Sequence, residues 1–115
     1  MPDLEDSADF AELWNGIAIE ATRIQSSKGF EVHRHVAIDI ATIHSELSEA
    51  LEAYRGGNPV SHKIPDFSAA EEELADAVIR IMIHGGARGY RLAEAIIAKI
   101  RFNSTRPCKH GGKRF

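Results

Sequence analysis

Val36, Ile40, Ile43, Leu47, Ala50 and Tyr54 alternate steps of four and three along one stretch of the chain. Only an α-helix brings residues so spaced onto one face. The spacing predicts a long amphipathic helix that starts between His33 and Val36 and stops at Gly56-Gly57-Asn58-Pro59. Phe10, Leu13, Trp14, Ile17, Ala21 and Ile24 give a first helix of the same kind, opened at Asp9-x-x-Glu12 and closed near Ser26 or Ser27. Residues 1–8 read as a loose N-terminus. Ser68-x-x-Glu71 is a capping box for a third helix with the stripe Leu74, Val78, Ile81 and Gly85. Gly85 and Gly86 suit either close helix packing or an early end, and Gly89 suits a helix C-terminus. A fourth helix begins near Arg91 with Leu92, Ala95 and Ile96 inward, and Pro107 ends it. No stretch alternates as a strand does. The expected fold is all-α, a four-helix bundle in one domain spanning 1–115.

A chain of 115 residues buries roughly 65% of its unfolded surface, enough for a core without staples. The single cysteine, Cys108, excludes an internal disulfide and fits a reducing compartment. No basic-plus-apolar signal precedes the first acids, and no apolar run is long enough to span a bilayer. The expectation is a soluble, cytoplasmic protein. Net charge is −3, but the charge is unevenly spread. All acids lie at or before Glu94, whereas Lys99, Arg101, Arg106, Lys109, Lys113 and Arg114 follow with no acid among them. An acidic body with a basic tail over 107–115 is either a solvated end or half of a site for an anion.

Two acid pairs stand out, Glu46-x-x-Glu49 and Glu73-x-x-Asp76, each in the phrase E-L-[S/A]-[E/D]-A. Residues three apart share a helix face. Glu46 and Glu49, with Asp39 and Thr42, fall on a flank of the second helix beside its apolar stripe. Glu73, Asp76, Ala77, Arg80 and His84 fall on a flank of the third. Two helices so built can aim four carboxylates into one space. Converging carboxylates need a counter-charge, and a hard divalent ion with oxygen ligands supplies it, Mg²⁺ first and Mn²⁺ as a substitute. A di-iron bundle would need Glu-x-x-His on two helices, and no Glu here has a His three residues later.

On the line begun by Leu92 and Ile96, the fourth helix continues as Lys99, Asn103 and Arg106, with His110 beyond. Lys and Arg there either snorkel from a helix end or hold phosphates. Phe30, after Gly29, is placed to stack on a base. His44 and His84 read as packed or half-exposed, and Trp14 as core. The chain has no phosphate-cradling glycine loop, no paired-cysteine zinc pattern and no G-x-S-x-G.

The order E-x-x-E…E-x-x-D, the phrases IHSELSEALEAYR and EEELADAVIRI, and the ending K-x-x-x-N-x-x-R-P-x-x-H-G-G-K resemble the MazG-like all-α NTP pyrophosphatases from about Phe10 to Phe115. The resemblance implies a bundle of the all-α NTP pyrophosphatase type. It implies hydrolysis of a nucleoside triphosphate, commonly a deoxynucleotide, to monophosphate and pyrophosphate, as in clearing unwanted nucleotides from the pool. Glu46, Glu49, Glu73 and Asp76 match its metal-binding and catalytic positions. Lys99, Asn103 and Arg106 match positions that contact phosphate or sugar. It further implies a homodimer or homotetramer whose partner is the triphosphate, not a nucleic-acid polymer or a membrane. A phosphoribosyl-ATP pyrophosphatase shares the acids but fits the ending less well. A non-catalytic helical binding module would gain nothing from the converging acids.

Overall fold

The computed structural model describes residues 7–30 and 35–107. It holds four helices: α1 Ser7–Ser27, α2 Val36–Arg55, α3 Ala69–Ala87 and α4 Leu92–Ser104. The described residues form no strand beyond one isolated bridge between Val60 and Ser68. The architecture is an all-α four-helix bundle in which α2 packs on α3, α3 on α1, and α1 on α4. None of the four helices is long and apolar enough to cross a membrane.

Local chemistry sets most of the boundaries. Ser68 and Glu71 exchange the reciprocal capping bonds at the start of α3. His35 caps α2 by accepting the Ala37 amide at Nδ1. α1 begins at Ser7, earlier than the Asp9 start expected from sequence, and Asp9 sits in its first turn. There its charge favours the amide end of the helix. α4 stops at Ser104, so Arg106 lies past the helix. The backbone before Pro107 already leaves helical geometry. Gly89 takes a positive φ of 69°. Gly85 stays helical, and a Cβ there would collide with Leu92 Cδ1. Of the two roles open to Gly85, close packing against α4 is the one it fills.

The inward faces differ from those expected. On α2 the buried residues are Asp39, Glu46 and Ala50. The apolar stripe is left half-open, with Leu47 46% and Tyr54 58% exposed. On α3 the seam is Ala70, Ala77 and Gly85, together with Met82 and Ile83, while Leu74, Val78 and Ile81 are exposed. Arg80 and His84 on α3, and Arg88 at its C-cap, pair with Glu46 and Asp39 across the α2–α3 contact. On α4 the buried pair is Ala93 and Ile97, which turns Lys99, Asn103 and Arg106 outward. The expected change from apolar to cationic on an inward face is therefore not present in this helix.

Candidate functional site

The flank of α2 that carries Glu46 and Glu49 faces the flank of α3 that carries Glu73. One carboxylate oxygen from each of these three residues lies within 4.8 Å of the other two. A second group with the same spacing joins Glu72, Glu73 and Asp76. Glu73 belongs to both, so the two groups form one acidic surface between the helices.

Each acid is tuned differently. Burial pushes Glu73 up first, and its hydrogen bond to Glu49 and the charges of Glu49, Glu72 and Asp76 add to this, reaching about 7. Burial also raises Asp76, with Glu46 and Glu72 adding and Lys63 and Arg80 opposing. Burial works the same way on Glu46, but the hydrogen bond and charge of Arg80, with contacts to Glu49 and Glu73, outweigh it and hold Glu46 below the usual carboxylate range. One proton near neutral pH therefore belongs to the cluster as a whole. Oε2 of Glu73 is buried with no hydrogen-bond partner. A buried carboxylate oxygen without a partner is costly, and a cation is the natural complement. The donor set of these two groups is oxygen alone, which suits a hard divalent ion. The residues fit such an ion.

Three residues around the acids have no site role in the sequence pattern. Arg80 lies four residues after Asp76 on the same face, and its Nε–H donates to Glu46 Oε1 at 2.8 Å. That helical spacing is the signal that could have found it. Glu72 and Lys63 are set by the long connection between α2 and α3, where no local pattern announces them. Asn58, with a positive φ of 50°, accepts the Ala70 amide at Oδ1. Ser61, 2% exposed, accepts the amides of Lys63 and Ile64 and donates its hydroxyl to Glu72 Oε1 at 2.5 Å. Lys63 Nζ then stands 3.9 Å from Glu72 Oε2.

Beside Asp76 a cleft of about 540 Å³ opens between α1, α2 and α3. Lys28, Phe30, Lys63 and Arg80 line it, with Ile24, Ile79 and Ile83 as apolar wall. Phe30 is thus at the cleft. Lys99, Asn103 and Arg106 do not line it; all three are exposed, and Lys99 Nζ rests 4.7 Å from the centre of the Phe102 ring. His110 lies outside the described residues.

About two helical turns before Glu46, the same α2–α3 seam holds a second polar group. His84 Nδ1–H donates to Asp39 Oδ2 at 2.7 Å, and Arg88 donates to the same oxygen at 3.2 Å. The His84 ring meets Tyr90 edge-on at 6.2 Å. This group fixes the register of α2 against α3, and so helps fix which acids meet. Compared with family models, with curated proteins and with solved structures, the chain has no match in any of the three.

Proposed function

We propose that the chain is a Mg²⁺-dependent pyrophosphohydrolase of the MazG-like type, splitting nucleoside or deoxynucleoside triphosphates into monophosphate and pyrophosphate. What carries the reading is the convergence of Glu46, Glu49 and Glu73 carboxylate oxygens within 4.8 Å of one another, with a Glu73 oxygen buried and unpartnered. The phrases shared with the MazG-like group supply the reaction class.

Glu46, Glu49, Glu73 and Asp76 would hold the ion. When bound, it supplies charge neutralisation for the triphosphate and acidifies water at the site. Arg80 keeps Glu46 ionised and oriented through its Nε–H. A carboxylate of the set left partly free by the ion would take the proton from the attacking water. Water adds its oxygen to phosphorus, the phosphoanhydride bond breaks, and pyrophosphate departs with the bridging oxygen.

The proposed assembly is a homodimer or homotetramer. Val36, Ile40, Leu47, Leu51 and Tyr54 on α2 and Leu74, Val78 and Ile81 on α3 leave large apolar surface exposed, more than a lone subunit usually shows. Among the described residues the buried apolar ones are largely alanine, and no large side chain is fully buried. Lys99, Asn103 and Arg106 do not line the cleft of their own subunit; within such an assembly they would reach phosphate only at the site of a neighbouring subunit.

The test is pyrophosphate release from a panel of NTPs and dNTPs with Mg²⁺, with and without EDTA. Chelator-sensitive release is expected. A well-folded sample that turns over no triphosphate overturns the enzyme reading.

A further inference from the structure

We infer that the cleft beside the acids is a polyphosphate subsite whose two working cations are Arg80 and Lys63 of the same subunit. The identity of the anion rests on the hydrolase reading; the subsite adjoins the acid cluster and shares Asp76 with it.

Arg80 spans the boundary between the two regions. Its Nε–H is committed to Glu46, at 2.8 Å, while its side chain, 35% exposed, lines the cleft. A guanidinium carries four further N–H groups on its terminal nitrogens. These form the flat fork that fits a phosphate. Lys63 comes from the α2–α3 connection, where Ser61 fixes the backbone amides of Lys63 and Ile64. Its side chain is 82% exposed and lines the same cleft. The connection therefore delivers a long, adaptable ammonium to the mouth of a site whose other cation is held by Glu46.

Lys28, just past the end of α1, adds a third positive charge, and Asp76 is the acid that lines the cleft with them. Arg80 and Lys63 also face Glu46 and Glu72, at 2.8 and 3.9 Å, so the cleft would draw an anion together with a divalent ion at those acids rather than alone. The cleft volume falls within the range of small-molecule sites. Its wall at Ile24 and its rim at Phe30 supply apolar surface for a heterocycle, so the phosphates lie over Arg80 and Lys63 and the base lies towards α1.

Inorganic tripolyphosphate with Mg²⁺ is the probe, titrated calorimetrically into the full chain, Lys63→Ala and Arg80→Lys. Lys63→Ala removes an exposed side chain and should melt as the parent does. Arg80→Lys keeps the charge and loses the fork. Each variant is expected to bind about tenfold more weakly or worse, the loss of one charge-assisted hydrogen bond. No binding by the parent, or parent-like affinity in both variants, overturns the subsite. A loss confined to Arg80→Lys, which also touches Glu46, overturns it as a two-cation site. Turnover is scored apart: tripolyphosphate binding that the variants weaken, with no hydrolysis of any nucleotide, leaves the subsite standing and removes the enzyme reading. Pyrophosphate release with unchanged tripolyphosphate affinity in both variants does the reverse.

Discussion

Glu73→Gln should stabilise the protein above neutral pH and leave it unchanged in acid. The Glu73 carboxyl titrates near 7 in the folded protein against 4.5 when free of its surroundings. Between these values the folded state holds a proton that the unfolded chain has released. Stability then falls as pH rises through this window, and the full penalty applies above pH 7. A tenfold change in proton affinity corresponds to about 1.36 kcal/mol, so the rise from 4.5 to about 7 sets a ceiling of ~3.4 kcal/mol. Solvent contact around the cluster screens the charges, so ~1–2 kcal/mol is the expected size. Glutamine copies the protonated acid in shape and keeps a donor towards Glu49. Urea unfolding of parent and variant at pH 4, 6 and 8 reads the difference directly. The variant should gain about 1–2 kcal/mol at pH 8 and nothing at pH 4. A variant less stable at pH 8, or a difference that ignores pH, would refute the idea that like-charge crowding and burial hold Glu73 protonated.

The same proton must leave when a cation binds, so Mg²⁺ affinity should climb with pH through about 7, with close to one proton released per ion in calorimetry across buffers. Glu49→Gln should abolish triphosphate turnover and weaken Mg²⁺ binding while leaving the thermal midpoint unchanged or higher, because repulsion with Glu73 is relieved; normal turnover would remove Glu49 from the site. Asp39→Ala strips a buried acceptor from both His84 and Arg88 and should cost about 3 kcal/mol in urea unfolding; a cost below about 1 kcal/mol would show that this seam does not fix the helix register.

The capping box at Ser68 and the apolar spacings of three and four are enough to place four helices, because these signals are local and act within one turn. The choice of which flank of α2 turns towards α3 is not local. A stripe from Val36 to Tyr54 marks a surface that wants cover, but not what covers it. In this chain the flank with Asp39 and Glu46 is the one that meets α3, since Arg80 and Arg88 stand there with complementary charge and His84 with a ring N–H donor. The acid pairs are legible as pairs, and their convergence follows from placing both flanks inward. Glu72 and Lys63 are not legible, because a loop closure through Ser61 makes them neighbours. Lys99 misleads for a simpler reason. A line drawn from Leu92 and Ile96 is one helical step away from the line through Ala93 and Ile97 that is actually buried, and that step turns Lys99 out to solvent.

If these carboxylates serve triphosphate cleavage, the bond that breaks joins the α phosphorus to the oxygen bridging it to the β. Phosphorus NMR of a dNTP incubated with the protein and Mg²⁺ tests this most directly. Monophosphate and pyrophosphate should appear in equal amounts, with neither formed in EDTA or by Glu49→Gln. Diphosphate with orthophosphate, or triphosphate left intact across the whole panel, would contradict it.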